Sequence, residues 1–324
     1  MALALLVWAP FPAGGQASPS PQKNAEQDKT TFSAPRVVTD EVGRRVEIPQ
    51  PVRRIVSLAP NVTEMIYALG AEGRLVGDSD ACDYPVDAQK KTKVGGPFTP
   101  NLEQIVALKP DLVLIAANSG NRRETADALD LLHIPTYATN AFTIEDILKS
   151  IVDLGDVIGA AEQARTVAAS MRAKMDQLHS KLAETKPTHV LFVIWQEPLI
   201  SIGRNTFLAD ALRLAGAESI IDTRQDWPHV NMEEVVHLQP EYLVFAPDHN
   251  SEMATHLAAL RSTPGWRDLK AVQENRVAVV SDAINRPAPR LIDAVVELAH
   301  QLHPEAFAST PSAGNASHRN SDAR

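Results

Sequence analysis

Several residue groups in this 324-residue chain have types and spacings that could do chemistry. Gly77-Asp78-Ser79 and Asp226-Trp227-Pro228-His229 together mimic a Ser–His–Asp esterase. In that reading Ser79 is the nucleophile, His229 the base and Asp226 the group that orients the imidazole. Against it, Gly77-Asp78-Ser79 follows the second expected strand rather than the first, and no Gly-x-Asn-Asp segment is present to bind an oxyanion. A second group suits binding better. Aromatic residues make up only 5% of the chain, yet Phe98, Trp195 and Trp227, with Tyr84 behind them, fall near expected strand ends, where flat faces can stack on a ligand. Arg286 and Arg290 could pair with a carboxylate or phosphate, or lie on a solvated C-terminal face. The ten histidines are scattered without zinc-type spacing. The single cysteine, Cys82, excludes an intramolecular disulfide and a cysteine-based zinc site. It has no basic neighbour to activate it and reads as a small buried hydrophobe. The balance favours binding without bond chemistry: no catalytic residues, no resident metal and no cofactor.

The elements that must position these residues alternate between β-rich runs and helical patterns, which predicts a parallel, doubly wound α/β architecture. Arg54–Leu58 reads as a strand. Asn61-Val-Thr-Glu64 then reads as an N-cap with a capping-box glutamate, opening a helix that stops at Gly70. Further strands are expected at 75–77, 112–116 and 136–138, with helices at 101–108, 122–132 and 144–158. The second half repeats the scheme, with strands at 190–195, 242–246 and 276–281 and helices at 205–214, 231–238 and 289–302.

The repetition is visible residue by residue. Asn101-Leu-Glu-Gln-Ile-Val-Ala-Leu-Lys-Pro-Asp-Leu-Val-Leu-Ile-Ala116 lies over Asn231-Met-Glu-Glu-Val-Val-His-Leu-Gln-Pro-Glu-Tyr-Leu-Val-Phe-Ala246, with Asn, Glu, Pro and Ala in register. Residues 57–70 match 201–216 less closely, each with an Asn-capped helix and a terminal glycine. Glu103 and Glu233 are equivalent in this repeat, each third from an opening asparagine. A carboxylate there favours its own helix N-terminus by about 0.3–1 kcal/mol, and that alone would account for it. Between the halves, Ala164, Val167, Ala168, Met171, Met175, Leu178 and Leu182 recur at helical spacing with no Gly or Pro from 160 to 185. About 26 residues give a rod of roughly 39 Å.

The chain is 44% hydrophobic and 22% charged with a formal charge of −9, enough apolar material for a sizeable core and no basic stripe for nucleic acid. Residues 1–17 read as an export signal: an apolar run, small residues and a cleavage-like Gly15-Gln16-Ala17, with no preceding Lys or Arg. Residues 18–35 read as a disordered linker, 36–158 as an N-terminal lobe, 159–186 as a connecting helix, 187–307 as a C-terminal lobe and 308–324 as a disordered tail.

Arg53-Arg-Ile-Val-Ser-Leu-Ala-Pro-Asn-Val-Thr-Glu64, Cys82-Asp-Tyr-Pro85 and Asn101 to Val113 together resemble the helical-backbone periplasmic solute-binding proteins of ABC importers for cobalamin, haem and iron–siderophores. The similarity spans about residues 37–307. Trp227-Pro-His-Val230, and Ser281-Asp282 followed by Pro289-Arg290, make it most similar to cobalamin-binding members. Ala81 stands where the family has a tyrosine, and Ala283-Ile284-Asn285 lacks the usual aromatic. The resemblance implies two Rossmann-like lobes with parallel sheets joined by one long α-helix, and a corrinoid held in the cleft between them. It implies ligand contacts at Tyr84, Phe98, Trp195 and Trp227 and along Asp282, Ala283, Ile284, Asn285 and Arg286. It also implies docking of Glu103 and Glu233 on arginines of a two-fold permease dimer. A ferric siderophore or haem is the alternative cargo: Arg286 and Arg290 would then meet anionic groups, and Tyr84 or His229 would be the candidate axial ligand. The expected protein is an exported, periplasmic monomer.

Overall fold

The computed structural model describes residues 33–118, 121, 123–246 and 258–308. The expected signal peptide, residues 18–32 of the linker and residues 309–324 of the tail lie outside the described residues.

The described chain enters through a hairpin that the sequence reading missed. β1 (Ser33–Thr39) and β2 (Arg45–Gln50) pair antiparallel. Asp40 closes their turn by accepting from the Val42 and Arg44 amides at 3.2 and 2.7 Å. Val46 and Ile48 alternate inward as a half-buried strand requires. Ser33–Pro35 therefore belong to the first lobe, and the boundary expected at residue 36 moves to 33.

Two parallel four-stranded sheets follow. In the first, β3 (Ile55–Ser57), β4 (Leu75–Asp78), β5 (Leu112–Ala116) and β6 (Thr136–Thr139) lie in the order β4-β3-β5-β6. In the second, β7 (Thr188–Val193), β10 (Ala217–Ser219), β11 (Tyr242–Phe245) and β12 (Val277–Val279) lie in the order β10-β7-β11-β12. The hairpin β8 (Trp195–Gln196) and β9 (Leu199–Ile200) extends from the end of β7. In chain order the strand sequence is the same in both sheets: second, first, third, fourth.

The repeat in the sequence is a repeat in space. α2 (Leu102–Ala107) and α7 (Met232–Leu238) are capped by Asn101 and Asn231, whose side chains accept from the Gln104 and Glu233 amides. Each leads through a left-handed residue before a proline, Lys109 at φ 46° and Gln239 at φ 47°, into the third strand of its sheet. The second, looser match holds in its glycines but not in its caps. Gly70 and Gly216 are both left-handed, at φ 66° and 74°. However, α1 (Pro60–Ala68) starts at its proline with Ala59 at the cap, and Thr206 caps α6 (Phe207–Leu214). Pro60, with fixed φ and no amide hydrogen, suits a first helical turn and puts Asn61 inside the helix.

α3 (Arg123–Leu131) covers the first sheet, and α4 (Ile144–Ile158) opens with a Thr143–Asp146 capping box and stops at left-handed Gly159. The connecting helix α5 (Ala161–Leu182) follows at once. Its 22 residues make a rod of about 33 Å, shorter than expected for about 26 residues because Ala160 and Ala183 are its caps and residues 183–185 lie beyond its end. Ala164, Ala168, Met171, Leu178 and Leu182 are buried along it. Gly155 admits Ala164 so closely that a Cβ there would collide with the Ala164 Cβ. Further on come α8 (Lys270–Gln273), α9 (Leu291–Leu302) and α10 (Pro304–Phe307), with α9 and α10 packing on α5 from the second lobe. One apolar core runs without interruption from Ile55 and Leu112, beneath Met171 and Leu178, to Val190 and Leu298. Ile144 N also donates to Asp210 Oδ2 on α6 at 2.8 Å. The lobes therefore share a common base as well as a helix. Among the described residues, no helix is long and apolar enough to cross a membrane.

Candidate ligand-binding cleft

Parallel strands bring their carboxyl ends to one edge, where α/β sheets bind ligands. The segments leaving those ends in the two lobes meet directly. Glu64 on α1, after β3, is buried and accepts from Arg290 Nε and Nη2 at 2.8 Å each. Arg286, after β12, donates from Nη1 and Nη2 to Asp83 Oδ1 and Oδ2 at 2.6 and 2.9 Å, and from Nη1 to Glu64 Oε1 at 3.0 Å. Asp282 Oδ2 lies 3.2 Å from Arg286 Nη2. The Arg290 guanidinium stands 3.5 Å over the Tyr84 ring. Burial works against the Arg286 charge, but Asp83 and Glu64 outweigh it and hold the guanidinium above its ordinary value. Arg290 is shifted the same way by Glu64, against its own burial.

This corrects two readings. Glu64 is not a capping-box residue, because no side chain caps α1; it is the buried acceptor that ties the lobes together. Arg286 and Arg290 do not lie on a solvated face: their side chains are only 16% and 21% exposed and pair with carboxylates of the first lobe.

The loop carrying Asp83 and Tyr84 is held from beneath. Lys93 Nζ donates to Asp78 Oδ1 at 2.9 Å and to the carbonyls of Ser79, Cys82 and Ala88 at 3.3, 2.9 and 3.2 Å. Burial pushes the Asp78 carboxyl up while Lys93 pulls it down, with a net rise. Cys82 is buried against Thr63 Oγ1 at 3.1 Å, and burial raises its thiol. A lysine in a loop gave no hint of this role, which depends on four acceptors converging only after folding.

Phe98 sits at the tip of a tight turn between Gly95 and Pro100. Gly95 has φ 90°, and a Cβ there would lie 2.9 Å from Thr99 O. Asn121, buried and unremarked in the sequence, donates to Leu58 O and Pro97 O at 3.0 and 2.8 Å and accepts from Ala116 N. It thereby pins the Phe98 turn to the ends of β3 and β5. Phe98 is 58% exposed and Tyr84 38%.

The second lobe presents its aromatics on a small ladder. Trp195 pairs with Ile200, and Ile200 pairs with His229 on its other side. Strand alternation puts Trp195, Ile200 and His229 on one face and Leu199 and Ser201 on the other, and Trp227 lies in the bend two residues before His229. Burial agrees: the second set is buried, while Trp195 is 61% and Trp227 42% exposed. Trp195 Nε1 is fixed by Glu197 O at 2.9 Å.

The turn 282–285 is mostly buried. Ala283 and Ile284 are buried in the shared core, so their side chains face inward rather than toward a cleft. Asp282 is buried beside Arg286. Asn285 alone of these is exposed, and its Nδ2 donates to Ala246 O at 3.2 Å. Glu103 and Glu233 are exposed in the first turns of α2 and α7, one on each lobe. The esterase grouping does not assemble: Ser79 is fully buried beside Cys82 in the first lobe, whereas His229 is exposed on the second.

Two α/β lobes, one connecting helix and strand ends turned toward one another define a helical-backbone solute-binding protein of ABC importers. The chain belongs to the periplasmic binding protein family, whose sequence profile matches residues 55–283. It is 31% identical over 255 residues to the vitamin B12-binding protein of Vibrio parahaemolyticus, covering 77% of this chain and 89% of the relative. It is 29% identical over 313 residues to the ABC transporter substrate-binding lipoprotein YvrC of Bacillus subtilis, covering 94% and 97%. The crystal structure of the periplasmic vitamin B12 binding protein BtuF of Vibrio cholerae is similar with a TM-score of 0.70 and 28% identity, over 80% of this chain and 99% of that one.

Proposed function

We propose that this protein is exported, captures cobalamin or a related corrinoid between its lobes, and delivers it to an ABC permease dimer that meets Glu103 and Glu233. The observation that carries the reading is the pair of exposed tryptophans, Trp195 on the ladder and Trp227 two residues before its His229 rung, with Phe98 and Tyr84 exposed in loops of the other lobe. A corrin is a broad, largely apolar disc fringed with amides, and exposed aromatic faces are what it needs. The vitamin B12-binding relatives support the same cargo. No bond is made or broken; selection rests on shape and stacking.

The test is titration of the purified protein with cyanocobalamin, followed by calorimetry and tryptophan fluorescence, with haemin and a ferric siderophore beside it. Binding is expected for the corrinoid, and Trp227→Ala should weaken it about tenfold through loss of one stacking face. Neither heat nor quenching at high micromolar corrinoid would overturn the cobalamin assignment, and saturable binding of haemin or the siderophore would reassign the cargo.

A further inference from the structure

We propose that Gly203 is the positioning residue for Trp227: having no side chain, it lets the tryptophan's loop close onto the segment that leads into α6, and so sets where that indole stands against the cargo. The proposal rests on the cleft reading above, because it takes Trp227 as a ligand contact.

The segment leading into α6 and the loop carrying Trp227 run antiparallel. Val230 N donates to Leu199 O at 2.9 Å and Ser201 N to Pro228 O at 3.1 Å. Further along, Gly203 N donates to Asp226 O and Arg204 N to Thr223 O, both at 2.9 Å. Trp227 thus lies between two rungs, one to Ser201 and one to Gly203, and its own carbonyl accepts from Gln225 Nε2 at 3.3 Å. The approach at Gly203 is closer than any residue with a Cβ allows. A Cβ there would stand 1.9 Å from Gln225 O, 2.9 Å from Gln225 C and 3.0 Å from Thr223 O. These are backbone atoms, so no side-chain rotation relieves the clash. One of the two segments must move, and the bonds on each side decide which. Gly203 is buried, and its carbonyl accepts from Thr206 Oγ1 at 2.9 Å. The same hydroxyl accepts from Ala209 N to cap α6. Ile202 beside it is wholly buried in the shared core. Arg224, Gln225 and Trp227, by contrast, are exposed. The loop therefore yields, and Trp227 moves with it. Widening 1.9 Å even to 3.0 Å takes a shift of about 1 Å, and a gap of about 0.5–1 Å already forfeits a quarter to a half of a dispersion contact.

The experiment measures cyanocobalamin affinity by calorimetry for wild type, Gly203→Ala, Trp227→Ala and the double variant, with melting temperatures and backbone amide exchange alongside. Gly203→Ala should weaken binding about fivefold in the wild-type background and less than about twofold where Trp227 is already alanine, since a shifted alanine has no stacking face to lose. The Arg204 amide, whose acceptor Thr223 O lies on the displaced loop, should exchange about tenfold faster in Gly203→Ala while the Ser201 amide keeps its protection. Unchanged affinity, or an equal loss in both backgrounds, overturns the proposal while leaving the corrinoid assignment intact. Where Gly203→Ala gives no cooperative melt, one glycine inserted after Gln225 replaces it in the cycle; this slackens the exposed loop and leaves 199–206 untouched. The insertion should reproduce the Trp227-dependent loss, and full affinity or an equal loss in both backgrounds overturns the proposal. If the wild type binds no cyanocobalamin, the corrinoid assignment falls and the positioning role is judged on exchange alone. A faster Arg204 amide with Ser201 unchanged then upholds it, and an unchanged Arg204 amide overturns it.

Discussion

Arg290 and Glu64 stand 226 positions apart in the chain, in different lobes, and share two hydrogen bonds of 2.8 Å. Glu64 is almost wholly buried, and Arg286 Nη1 reaches its Oε1 as well. Arg290→Ala should cost about 3 kcal/mol, because it strips a bidentate partner from a buried carboxylate. Replacing both residues, as Glu64→Met with Arg290→Met, should cost less than the single change, since no charge is left stranded. Urea unfolding of the three variants checks this; a double variant less stable than Arg290→Ala would contradict it.

The seam between α4 and α5 gives a second expectation. Gly155→Ala places a methyl group where Ala164 already sits, with the Ala160 carbonyl 3.2 Å away on the same side. Both are rigid, so the helices must separate. A loss of about 2–3 kcal/mol is expected, measured as a lower denaturation midpoint.

Glu41 supplies a pH dependence. Burial raises its carboxyl above the ordinary value, against opposing bonds from the Asn140 amide and Ser150 hydroxyl, and its Oε1 has no hydrogen-bond partner among the described residues. A raised folded-state pKa means that the native protein holds the proton more tightly. The associated stability is complete below the unfolded value of about 4.3 and is lost as pH rises through the folded value. Glu41→Gln should therefore be more stable than wild type at pH 7, with the advantage shrinking toward pH 4. Thermal melts across that range measure it; an advantage that grows on acidification would refute the sign.

Docking has its own signature. Glu103→Ala with Glu233→Ala should leave ligand affinity unchanged and abolish uptake in cells relying on this protein. Reversing both to Lys should do the same even at low ionic strength. A loss of ligand affinity in either variant would place these residues in the cleft instead.

How much of this was legible follows the range of the interactions. The paired segments at Asn101 and Asn231 could be read because their chemistry is local: a capping side chain, an apolar stripe, and a proline that ends the helix. The same local logic misled at Glu64. Its spacing from Asn61 imitates a capping box, while its true partners lie 222 and 226 positions away, where no periodicity points. Residues 33–35 look like linker because Ser, Ala and Pro are poor strand formers, and only pairing with β2 makes them strand. The aromatics were found by scarcity. That Trp195 and the segment carrying Trp227 are neighbours could not be read locally, because Ile200 joins Trp195 to His229. Ala283 and Ile284 were assigned by position in a loop, and their apolar character was the better guide, since both are core.

The apolar layer beneath α5 belongs to both halves at once. A hinge would need each half to keep a finished underside of its own, and neither does. Cargo should accordingly enter a slot already close to its final width, and heating should melt the protein as one cooperative block, with a single endotherm whether or not the slot is filled.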